Sequence, residues 1–186
     1  MPRPEDEVLQ ELVEKALAGD RVAFSDIVRK LMKPVVAFTY RMTQERESAV
    51  DLAQEVFLSA WQNLKSFRGD SRFESWVFAI AANKTINFLR SRANHPTEQI
   101  DERQVDPADT GNPERDLVQK ELREDVFAFM ATLPEKQRLV FDLRFYKHMS
   151  FDEIARATGK AAGTVKTNYR EAVKKLRGFA AAKGWR

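Results

Sequence analysis

Thr164, Lys166, Thr167, Arg170 and Lys174 recur at spacings that place most of them on one side of a helix, with Lys175 and Arg177 close by. Hydroxyl, ammonium and guanidinium groups arranged this way bond base edges and phosphates; they do not make or break covalent bonds. Nearer the N-terminus, Phe67, Phe73, Trp76 and Phe78 cluster with Arg68, Arg72, Asn83, Lys84 and Asn87. Aromatic faces beside basic groups suit unpaired nucleic acid, whose bases stack or enter pockets. Phe73, Trp76 and Ile80 stand at helical spacing and fit a core equally well. Phe67, Arg68, Gly69 and Asp70 are harder to explain that way.

Other chemistry finds little support. There are no cysteines, so neither a disulfide nor a thiolate metal site is available, and the 2 histidines, His95 and His148, make no metal-ligand cluster. No nucleophile-plus-histidine arrangement is recognisable, which weighs against an enzyme such as a nuclease. The N-terminus, Met1-Pro2-Arg3-Pro4-Glu5-Asp6, is charged and lacks an apolar signal core, and no apolar run approaches the ~20 residues needed to span a bilayer. A cytoplasmic protein with no cofactor, no metal and no membrane insertion is expected.

The elements that must position these residues are helical. Apolar residues make up 43% of the chain, with only 7 glycines and 7 prolines, and the apolar spacing is helical almost throughout, so an all-α fold is expected. Charge divides the 186 residues into three parts. Residues 1–94 carry 14 Lys/Arg against 13 Asp/Glu, residues 95–115 carry 2 against 6, and residues 116–186 carry 15 against 9. A balanced block, an acidic Pro/Gly-containing connector and a basic block describe two small helical domains, 1–94 and 116–186, joined by a flexible linker. The basic block suggests a polyanionic partner.

Four helices are expected in the first block. The first, 5–17, turns Val8, Leu9, Leu12, Val13 and Ala16 inward, and Gly19 ends it. Asp20 can cap the second, 21–42, in which Pro34 predicts a kink or break. The third spans 46–64. Ser71 and Glu74 have capping-box spacing ahead of a fourth, which ends near Arg92. In the second block, Leu117, Leu122, Val126, Phe129 and Met130 suit one helix. Leu133-Pro134 breaks it, and 137–145 suits the next. Ser150 and Glu153 make another capping-box pair, Gly159 stands where the chain must turn, and a last helix begins near Ala162. A short helix, a glycine turn and a helix with a basic outer face describe a helix-turn-helix that can enter a major groove.

Taken in order, these stretches resemble the extracytoplasmic-function group of the sigma-70 family of bacterial RNA polymerase sigma factors. The resemblance rests on Asp51-Leu52-Ala53-Gln54-Glu55-Val56-Phe57-Leu58-Ser59-Ala60-Trp61, on Phe67-Arg68-Gly69-Asp70-Ser71-Arg72-Phe73-Glu74-Ser75-Trp76-Val77, and on Ala81-Ala82-Asn83-Lys84. Leu133-Pro134-Glu135-Lys136-Gln137-Arg138 and the helix-turn-helix complete it. It implies that 1–94 is sigma region 2 and 116–186 sigma region 4, each of four helices. Asp51, Gln54, Glu55, Phe57 and Trp61 would engage the clamp of the polymerase largest subunit, and the beta flap would engage the second domain. Phe67, Arg68, Gly69, Asp70, Ser71 and Arg72 would hold a base flipped from the melted non-template strand of the minus-ten element, with Asn83 and Lys84 reading nearby. Thr164, Lys166, Thr167, Arg170 and Lys174 would face the duplex minus-thirty-five element. Asn168 and Glu171 replace arginines common in the family and remove phosphate-binding charge. The acidic linker would run near the RNA exit path, and an anti-sigma factor would hold the protein inactive. The competing expectation is a stand-alone helix-turn-helix regulator that binds an operator without polymerase.

Overall fold

In a computed structural model, residues 4–94 (side chains from residue 7 on) and 124–185 are described, and all their regular structure is helical. The expected linker, with His95, Leu117 and Leu122, lies outside the described residues. Helix α1 spans Pro4–Leu17, α2 Arg21–Thr43, α3 Arg46–Gln62 and α4 Phe73–Asn94; a single 3-10 turn, Leu64–Ser66, follows α3. Residues 124–132 form α5, followed by α6 (Glu135–Phe145), α7 (Phe151–Thr158) and α8 (Ala162–Ala182).

Local chemistry sets most boundaries. Gly19 adopts φ 100°, a left-handed conformation that glycine takes without a Cβ penalty, and α1 stops there. The Asp20 carboxylate then accepts the N–H groups of Val22 at 2.8 Å and Ala23 at 3.1 Å, two donors that the first turn of α2 cannot use internally. Helix α2 runs through Pro34 without the expected break. Leu31, Val35 and Phe38 are buried on either side of it, and their packing holds the helix together across the missing N–H.

Ser71 does not cap α4: the helix begins at Phe73, and the Trp76 N–H donates to the Arg72 carbonyl at 3.1 Å, so Arg72 is the flanking residue. Ser71 stands one position too early, and Glu74 pairs with the Arg72 guanidinium at 3.2 Å. Val8 is 47% exposed, so the inward stripe of α1 consists of Val13 and Ala16, with Leu9 and Leu12 at its margin.

Helices α1–α4 enclose Ile27, Val35, Phe38, Val56, Val77 and Phe78. Buried Ala49, Ala53, Ala60, Ala81 and Ala82 let the backbones of this group approach closely. Phe38 and Phe78 meet edge to face at 5.6 Å, a favoured arrangement of ring quadrupoles. Helices α5–α8 enclose Phe129, Met130, Leu133, Phe141, Leu143, Met149, Ile154 and Val165. The two helical groups also touch: α2 packs on α6 and α4 on α7.

Candidate nucleic-acid interface

The helix-turn-helix is built by its own side chains. The Ser150 hydroxyl accepts the Glu153 N–H at 3.1 Å, and the Glu153 carboxylate accepts the Ser150 N–H at 2.7 Å, closing the capping box that starts α7. Gly159, at φ 64°, ends α7, its N–H donating to the Ala155 carbonyl. Ile154 and Ala157 are buried on α7, Val165 and Ala172 on α8. Phe151 and Tyr169 meet at 5.5 Å, closing the angle between the two helices. This leaves one side of α8 outward, where Thr164, Lys166, Thr167, Arg170 and Lys174 are all exposed. The Thr167 hydroxyl donates back to the Gly163 carbonyl at 3.0 Å, which fixes its rotamer and leaves its oxygen free to accept. Exposed Glu171 lies among these cations.

The aromatic segment divides into a packed base and an open tip. Phe67 lies 5.1 Å from Phe73 and 5.6 Å from Trp76, and Phe73 lies 5.3 Å from Trp76. Phe73 is buried, whereas Phe67 and Trp76 are partly open. Arg68, Gly69 and Asp70 form the exposed tip, with Ser71 half-buried and Arg72 exposed. Gly69 has φ 77°, so the tip turns at a residue that other side chains would strain, although the space around it is open. On α4, exposed Asn83 and Asn87 stand one turn apart, and Arg90 continues their strip.

A third surface lies on α3. Asp51, Gln54 and Glu55 are exposed at spacings of three and four, a single outward stripe. Leu58, 59% exposed, continues it and was not singled out from the sequence. Its position one turn beyond Gln54 and Glu55 is the signal that would have found it. Phe57 is only 5% exposed and packs in the core; Trp61 is half-buried with its ring 4.8 Å from that of Phe24. Both aromatics therefore shape the stripe from beneath.

Among the described residues, no group of three or more His, Cys, Asp or Glu side chains could hold a metal, and no helix is long and apolar enough to cross a membrane. The arrangement offers hydrogen-bond donors, cations and ring faces.

Family models for Sigma-70 region 2 and Sigma-70 region 4 match residues 27–95 and 123–176. The chain is similar to the RNA polymerase sigma-H factor of Pseudomonas aeruginosa, 33% identical over 89% of this chain and 92% of that protein. It is also similar to the ECF RNA polymerase sigma-E factor of Escherichia coli K12, 33% identical over 85% of this chain and 86% of that protein. Among solved structures, the fold is similar to the sigma factor RpoE in its complex with the anti-sigma factor NepR from Bartonella quintana, with a TM-score of 0.68, 22% identity, and coverage of 85% of this chain and 96% of that one. It is likewise similar to CnrH in its complex with the cytosolic domain of CnrY, with a TM-score of 0.65, 22% identity, and coverage of 94% and 98%.

Proposed function

Because the chain belongs to the extracytoplasmic-function group of the sigma-70 family of RNA polymerase sigma factors, we propose that it directs promoter-specific initiation through three surfaces, each on its own element. The stripe Asp51-Gln54-Glu55-Leu58 docks on the clamp of the largest polymerase subunit, while the beta flap engages the second helical group. The outer side of α8 lies in the major groove of the minus-thirty-five element, with Lys166, Thr167 and Arg170 against base edges or phosphates and Thr164 and Lys174 beside them. The tip Arg68-Gly69-Asp70, flanked by Ser71, Arg72 and the partly open rings of Phe67 and Trp76, holds a base that has left the stack. Asn83 and Lys84 read the upstream end of the same element.

The polymerase supplies the bond chemistry; this subunit catalyses nothing and works in the cytoplasm. An anti-sigma factor covers these surfaces until a signal releases them, a reading supported by the similar fold of RpoE having been solved with the anti-sigma factor NepR.

One observation carries the reading most directly. A box-capped, tightly turned pair of helices presents five polar or cationic side chains of α8 to solvent with none of them buried. In vitro transcription with core polymerase over a library of genomic fragments tests it. Discrete start sites preceded by two shared elements are expected; transcripts identical with and without the chain would overturn it.

A further inference from the structure

The two helical groups meet most extensively where α4 packs on α7, and beside that, where α2 meets α6, lies a buried charge that has its partner on the opposite group. Asp142 is wholly buried in α6 between buried Phe141 and Leu143. Its carboxylate accepts a two-pronged bond from Arg41, near the end of α2: Nε donates to Oδ2, and Nη2 donates to Oδ1 at 3.2 Å. Such paired, parallel bonds combine charge with fixed geometry. Burial alone lowers the proton affinity of the Arg41 guanidinium; the Asp142 charge and hydrogen bond more than offset this, and it ends raised.

Neighbouring side chains extend the contact. Arg138 Nη1 donates to the Met42 carbonyl at 3.1 Å, so α6 satisfies a carbonyl that the end of α2 leaves over. The Arg41 guanidinium lies 4.6 Å from the centre of the Tyr146 ring. Tyr40 stacks on Phe127 at 5.0 Å, and Lys147 sits 4.0 Å from the centre of the Phe78 ring. Arg138 Nε, at the same contact, is buried without a hydrogen-bond partner.

We infer that the Arg41–Asp142 pair is a latch that holds the two helical groups together in the free protein and must open before both promoter elements are read. The inference rests on the reading of the chain as a sigma factor. Elements centred near minus ten and minus thirty-five are about 25 base pairs, or roughly 85 Å, apart at 3.4 Å per pair. Two units of this size have radii of gyration of roughly 11 Å, so while in contact their centres lie about 30 Å apart at most. Closed, they cannot occupy both elements. The chain between residues 94 and 124 has a fully extended reach of roughly 100 Å, enough to permit the separation once the latch is broken.

The absence of native cysteine allows labels to be placed at will. Fluorescent labels on a Lys30→Cys, Ala181→Cys chain report the separation of the groups. High transfer is expected in the free protein, lower transfer with Asp142→Asn added, and low transfer on addition of core polymerase and promoter. Equal transfer with and without Asp142→Asn would overturn the latch. In a second arm, Tyr40→Cys and Phe127→Cys are bridged by a short bismaleimide, and the singly modified chains serve as controls. The bridged chain should lose at least tenfold in promoter transcription relative to both controls. Transcription equal to theirs would overturn the proposal. If unmodified protein supports no transcription, the sigma reading itself fails, and the transfer measurements still decide the contact.

Discussion

Lys84 on α4 reaches across to Glu55 on α3, Nζ to Oε2 at 3.2 Å, so a side chain assigned to promoter DNA and one assigned to polymerase share an ion pair. Glu55 is exposed and Lys84 half-buried, and pairs this near the surface contribute about 1 kcal/mol at most. Glu55→Gln should therefore leave the melting temperature within a few degrees of wild type while weakening association with core polymerase, read by competition against a labelled sigma factor. A large loss of thermal stability with unchanged association would remove Glu55 from the docking stripe.

Leu58 tests the same stripe from its apolar side. Leu58→Glu adds charge at a site already exposed, so folding should change by no more than about 0.5 kcal/mol. Polymerase affinity should fall by more than for Glu55→Gln, because the change buries an unpaired charge where an apolar side chain would dock. Wild-type affinity would show that the docking surface ends at Glu55.

On α8, Arg170→Glu should abolish promoter-specific transcription with an unchanged circular dichroism melt, since the side chain is exposed and contributes nothing to the core. Lys174→Ala should act more mildly. A lost phosphate contact reduces the slope of log affinity against log salt by about 0.9. Normal transcription from Arg170→Glu would reject α8 as the reading helix.

The loop proposed to hold the minus-ten base separates packing from recognition. Phe67 rests on Phe73 and Trp76, so Phe67→Ala should destabilise the protein by about 1–3 kcal/mol, less than a fully buried ring would. Arg68 touches nothing comparable and is exposed, so Arg68→Ala should leave stability unchanged. Combined, the two changes should impair strand opening more than duplex binding. Permanganate reactivity in the minus-ten element equal to wild type would reject the assignment.

Burial lowers the proton affinity of Lys147, with Asp142 and Glu74 opposing and Arg41 adding to the effect. A lysine depressed in the folded state binds its proton more tightly when unfolded, so its contribution to stability rises with pH between the depressed value and the ordinary one. Lys147→Met keeps the stem over Phe78 and removes the charge. It should stabilise the protein at pH 7, by an amount that shrinks as pH approaches 10.5. Urea unfolding at both pH values measures this; a gain independent of pH would assign it to packing alone.

What sequence reveals here follows the range of the interactions. The capping box of Ser150 and Glu153, the left-handed Gly159 and the Asp20 cap join residues within three or four positions, and pattern alone finds them. Ser71 had the same spacing to Glu74 and failed, because α4 starts one residue later than that box requires. Of the kink or break that Pro34 predicts in α2, the break does not occur. The outward positions of Asp51, Gln54 and Glu55 follow from helical period; the inward turn of Phe57 follows from the same period once the core side of α3 is known. The Arg41–Asp142 pair spans about a hundred residues, and no local pattern marks an aspartate in α6 for an arginine in α2.

Footprinting on one promoter, with the chain alone and with core polymerase added, separates the account from its main competitor. Protection of both elements only when polymerase is present is the expected result, lost on Arg170→Glu. Equally strong protection of a single site by the chain alone would instead identify an operator-binding regulator.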